Sequence, residues 1–173
     1  MTRLTLALAL RVIDAAFTKA AQLQCEPLTV VVLDAGGHEV AVQRQDRSGI
    51  LRVEIARAKA WGALGMGYSS REVAERAQKA PGFFGALAAV SLGRFAPAAG
   101  GVLLYDEDKN VIGAVGIAVT PRTGTRSASL PVLQPWGCAR SSETSASLPD
   151  DAKACAADLV VATSAVAAQR SAR

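Results

Sequence analysis

The chain has 173 residues, half of them apolar and a fifth charged, with a formal net charge of +4. That length suits one domain able to bury about two thirds of its unfolded surface, and the composition is that of a soluble globular protein. The 13 basic and 11 acidic residues up to Ile117, against 6 and 4 after it, leave no basic block with interleaved aromatics. Nucleic acid is therefore not an expected partner.

The opening MTRLTLALALRVIDAAF sets an apolar run behind Arg3, but Arg11 and Asp14 interrupt it and no small-residue cleavage site follows. Leu6, Leu10, Ile13 and Phe17 recur at helical spacing, so an amphipathic helix is expected instead of a signal peptide. No run approaches the length of a membrane span, and no membrane partner is expected. Cys25, Cys138 and Cys155 are odd in number and irregularly spaced, which argues against a disulfide framework or a zinc site. A reducing, cytoplasmic setting is the expectation that follows.

In PLTVVVLDAGGHEVAVQRQ, β-branched runs flank the Asp34-Ala35-Gly36-Gly37 turn, the signature of a hairpin. Residues 50–66 have helical periodicity, with Gly65 and Gly67 expected to stop the helix. Ser69 and Glu72 have capping-box spacing and predict a short helix to about Ala77. Pro81 opens another through Phe84 and Leu87. Gly100-Gly101 leads a strand, Asp106 to Asn110 forms a turn, and residues 111–117 complete a second hairpin. The order helix, two strands, several helices, two strands predicts an α+β domain with an antiparallel sheet flanked by helices. Pro149-Asp150-Asp151 resembles a helix start before an alanine-rich segment. Residues 120–148 carry no assignable pattern.

His38 is the chain's one histidine, which excludes a multi-histidine metal site; it reads as a haem or metal ligand or as a surface residue after a turn. No G-x-S-x-G elbow offers a nucleophile, so hydrolase chemistry is not expected. GALGMG, at residues 62–67, follows helical rather than strand periodicity and marks close packing, not a phosphate loop. Gly100-Gly101 is either a tight turn or a place where backbone N–H groups approach an anion. Arg57 and Lys59 lie on the long helix, with Arg44 and Asp46 just before it; charges so placed ordinarily form a solvated face. Were Lys59 to point under the glycine strand, it could bind a carboxylate, and burial would lower its pKa and make it a candidate catalytic base.

DAGGHEVAVQRQD, IARAKAWGALGMG, APGFFGAL and AAGGVLLYDEDKNVIGAVGI, in this order, resemble the haem-degrading or HbpS/GlcG-like family, which includes the C-terminal domain of PduO-type proteins. The likeness spans residues 4–117 and includes Asp34, Gly36, Arg44, Asp46, Lys59, Pro81, Gly100, Gly101, Gly113 and Gly116. It implies a homo-oligomer, dimeric or higher, built from such α+β domains. It also implies a small-molecule-binding protein with haem as the candidate cofactor, its ligand held near Arg44, Asp46, Lys59, Gly100 and Gly101. The alternative it implies is a cofactor-independent lyase or isomerase on a small aromatic or hydroxy acid, with Lys59 as base. No metal is expected.

The likeness stops abruptly. Relatives continue GAVGI with a segment such as SGDTSDNDEACAVAGIEAAGL, whereas this chain reads AVTPRTGTRSASLPVLQPWG. G/C-rich codons for residues 118–137, read one nucleotide out of register, permit SGDTPDRDEERIVAGIAAVGL. Two bases of every shifted codon are fixed by the residues present, so chance explains this poorly. The expectation is a core domain over 1–117 and an atypical, out-of-frame tail over 118–173.

Overall fold

A computed structural model describes residues 3–120 of the chain. Its elements are α1 (Leu6–Gln22), β1 (Leu28–Asp34), β2 (Glu39–Arg44), α2 (Arg52–Met66), α3 (Ser70–Lys79), α4 (Pro81–Val90), β3 (Gly101–Tyr105) and β4 (Val111–Val119). The four strands form one antiparallel sheet of order β2-β1-β4-β3. Two hairpins, β1–β2 and β3–β4, are thus joined along β1 and β4, where Leu28 pairs with Val119 and Asp34 with Gly113.

The sheet is covered on both faces, which is why β1 reads as a continuous apolar run rather than an alternation. Leu28, Val30 and Val32 of β1, with Val115 and Ile117 of β4 and Val102 and Leu104 of β3, pack beneath α1. Val31, Leu33, Leu103, Ala114 and Ala118 meet Ala56, Ala60 and Ala63 of α2 on the other face. This second seam is made of small residues. A Cβ on Gly116 would collide with the Ala56 carbonyl, so α2 lies directly against β4.

Local signals account for most boundaries. Thr5 Oγ1 accepts the Leu8 amide at 3.2 Å and caps α1. Ser69 Oγ accepts the Glu72 amide at 3.4 Å at the start of α3, although the Glu72 carboxylate turns to Arg76, 3.6 Å away, instead of completing a capping box. Gly67, at φ +75°, ends α2 in the left-handed conformation; Gly65, expected to share that task, is helical. In α1 the buried stripe is Leu8, Ala9, Val12, Ile13, Ala16 and Ala20, while the expected anchors Leu6 and Leu10 face outward. The alanines and the staggered valine supply the sheet-facing stripe, and leucine spacing alone misses it.

Of the three cysteines only Cys25 lies among the described residues; Cys138 and Cys155 lie outside them. β4 continues two residues past Ile117, with Ala118 fully buried. The rest of the atypical tail, including the helix expected from Asp150, lies outside the described residues. No described helix is long and apolar enough to cross a membrane.

Candidate functional site

β3 begins at Gly101, opposite Gly116, while β4 runs on to Val119. The last residues of β4 therefore lack a β3 partner along one edge, and side chains of α2 reach that edge instead. Lys59, only 5% exposed, donates from Nζ to the Ile117 carbonyl at 3.1 Å. Arg52 donates from Nη1 to the Val119 carbonyl at 3.3 Å. The two lie seven residues apart on one face of α2, two turns along the axis.

Among the described residues neither cation forms an ion pair, and the Arg52 Nε is buried with no hydrogen-bond partner. Desolvation, aided by the neighbouring Arg52 charge, lowers the Lys59 pKa from 10.5 to about 8. Two under-partnered cations on one strand edge favour negative charge nearby, and an amine with this pKa can also accept a proton near neutral pH.

The glycine pair packs against the same lysine. Gly100 has φ +122°, and a Cβ there would stand 2.6 Å from the Ile117 carbonyl and 3.1 Å from Lys59 Nζ. A Cβ on Gly101 would collide with the Lys59 carbonyl. The Gly101 amide already donates to the buried Ser70 Oγ at 2.6 Å, so this N–H is committed within the fold. Lys59, Gly100 and Gly101 thus come together as the sequence suggested, with close packing accounting for the glycines.

Arg44 and Asp46 do not join them. Arg44 ends β2 opposite Thr29 of β1, whose other partner is Ala118 of β4, so β1 stands between it and the edge that Lys59 reaches. Its Nη1 donates to the Ser48 carbonyl at 2.5 Å. Asp46 is exposed in the following turn and borders a shallow depression with Cys25, Pro27 and Arg47. Arg57 pairs with Glu39 of β2 and lies 3.9 Å from Glu54. Arg52 and Ser70 were missed; the seven-residue interval between Arg52 and Lys59 was the available signal for the first.

His38 stands in the β1–β2 turn with its side chain 82% exposed and Nδ1 3.3 Å from Asp34 Oδ1. That carboxylate oxygen also accepts the Gly36 and His38 amides, each at 2.9 Å. Slight burial raises the Asp34 carboxyl, but these amides and the His38 ring outweigh it and hold its pKa below the ordinary value. No cluster of three or more His, Cys, Asp or Glu suited to a metal occurs among the described residues.

No curated protein matches this sequence. Among solved structures, the chain is similar to a PduOC–heme complex at 23% identity and TM-score 0.66, covering 93% of this chain and 95% of that one. It is also similar to the Klebsiella pneumoniae protein ORFY at 21% identity and TM-score 0.67, over 95% and 94% of the two chains. A Streptomyces reticuli HbpS double mutant matches at 21% identity and TM-score 0.64, over 96% and 88%. These likenesses establish the fold. The family model described as "Haem degrading protein HbpS-like" matches residues 4–122, and the chain belongs to that family.

Proposed function

We propose that this chain is a small-molecule-binding protein of the HbpS type whose ligand is a small anion held at the open edge of β4. Lys59 and Arg52 supply the charge, and Gly100 and Gly101 allow the β3 entrance to close against the lysine. The observation that carries the reading is the convergence of two α2 cations on the Ile117 and Val119 carbonyls with no described carboxylate to neutralise them. Burying an unpaired charge is costly, and an anionic ligand offsets that cost. Titration with acetate and with inorganic phosphate tests it: saturable shifts of the Gly100 and Ile117 amide resonances are expected, lost in Lys59→Met. Unchanged affinity in that variant removes Lys59 from the site.

Haem is the finer reading suggested by the family and by the heme complex among the similar structures. His38 offers an imidazole backed by a carboxylate, the arrangement that orients iron-ligating histidines. The depression beside its turn, about 320 Å³, is bordered by Leu4, Val40, Val111 and Ile112 together with Arg3, Asp34, Asp106 and Asn110, and His38 is not among its walls. The His38 side chain stands in solvent, so binding there would depend on a second face supplied by the proposed homo-oligomer. The lyase or isomerase reading draws on the lowered Lys59 pKa, which suits a base acting near neutral pH. Turnover of a hydroxy acid with a rate rising through pH 8, absent in Lys59→Met, is its test. We also keep a cytoplasmic location as a proposal, tested by cell fractionation.

A further inference from the structure

α4 contains no polar side chain, yet of its ten residues only Phe84 is buried. An all-apolar helix ordinarily has both sides covered. Between α4 and the C-terminal end of α2 lies a crevice of about 190 Å³, walled by Trp61, Met66, Leu87, Val90 and Phe95. A single cation stands at its rim. Arg94 lies over the Trp61 ring, 4.9 Å from its centroid, and its Nε donates to the Ser91 carbonyl at 3.1 Å, leaving the outer guanidinium nitrogens in a fixed position.

We propose that this crevice is a binding site for a small monocarboxylate with an apolar body, the body lodged against Trp61, Leu87 and Phe95 and the carboxylate on Arg94. An engineered apolar cavity of about 150 Å³ admits benzene, so the volume suits a six-membered ring. Apolar walls with one placed charge are the usual make-up of a small-ligand site. The planar guanidinium, stacked and hydrogen-bonded, is prepared for a carboxylate rather than a free solvent charge. The site is separate from the β4 edge: it uses the opposite end of α2 and none of the groups around Lys59.

Gly65 gives a variant that blocks the crevice without disturbing the fold. It is helical, and a Cβ there meets only the Trp61 ring, at 3.9 Å. Gly65→Leu therefore improves helix propensity while filling the rim. The probe is cyclohexanecarboxylate, with acetate as its truncated counterpart, followed by calorimetry and by the Trp61 indole resonance. Saturable binding of the first and not the second at the crevice is expected. Arg94→Gln is expected to weaken it about tenfold, and Gly65→Leu to abolish it with melting temperature unchanged or raised. Absence of saturable binding overturns the proposal. So does binding lost in Lys59→Met but kept in Gly65→Leu, which moves the ligand to the sheet edge. Sedimentation showing a dimer that Val90→Glu dissociates, with no ligand taken up, assigns the crevice to a second copy instead.

Discussion

Replacing Lys59 by methionine separates the cost of its charge from its packing, because the side chain keeps nearly the same length and loses the amine. The lysine's pKa falls from 10.5 to about 8 in the fold, chiefly through desolvation. That lowering corresponds to about 3 kcal/mol, carried as a penalty whenever folded Lys59 is charged. Between about pH 8 and 10.5 the unfolded chain holds a proton on Lys59 that the folded chain has released, so stability rises with pH across that window. Below it the penalty is complete; above it the penalty has gone. Denaturant melts of wild type and Lys59→Met at half-unit intervals from pH 7 to 10.5 isolate the contribution, since groups common to both proteins cancel in the difference. The variant loses the hydrogen bond to the Ile117 carbonyl, a constant cost of about 1–3 kcal/mol. The wild-type advantage should nevertheless grow by about 3 kcal/mol from pH 7.5 to 10.5. Parallel profiles would refute the claim that this amine is desolvated. Saturating acetate should raise the lysine pKa and move the wild-type rise to higher pH.

Gly101→Val should lower stability by about 3 kcal/mol or more and broaden the melt, because its Cβ has no room beside the Lys59 carbonyl; wild-type melting would mean that α2 and β3 can separate at little cost. His38→Ala should leave acetate binding unchanged and melting within about 0.5 kcal/mol, as suits an exposed turn side chain, while any haem-dependent Soret shift disappears; a shift that persists would place the iron ligand elsewhere. Sequencing the gene with intact-mass measurement should locate a one-nucleotide loss just after the Ile117 codon, and restoring it should yield the SGDTPDRDE segment; an uninterrupted frame encoding this tail in independent isolates would remove that explanation.

The sheet was legible because its signals are local: Asp34 to Gly37 and Asp106 to Asn110 specify tight connections, and the β-branched run of β1 admits little else. The α1 face was misjudged since leucine spacing drew attention away from Ala9, Ala16 and Ala20, whose small size lets the helix approach the sheet. Lys59 and the glycine pair were singled out from their places on helix and strand signals, and the fold brings them together. Arg44 and Asp46 were grouped with them by nearness in sequence, but strand order carries β2 to the far edge. Arg52 was passed over because a charge at a helix start ordinarily faces water, and only the position of β4 reveals its carbonyl partner.

The two central strands have a bearing on how the chain comes to fold. Pairing Asp34 with Gly113 and Leu28 with Val119 closes a loop of about 80 residues, an entropic step that the two hairpins do not face. Neither core is complete until that closure occurs, since β1 and β4 both contribute to the core on each face. A nascent chain must therefore expose β4 almost to its end before the domain can become cooperative. A reading-frame error shortly before Gly113 would leave both β1 and β3 without their shared neighbour and release the β1–β2 hairpin with bare apolar surface. One falling at Ile117 comes after most of that pairing has been encoded, near the earliest point at which such damage spares the centre of the sheet.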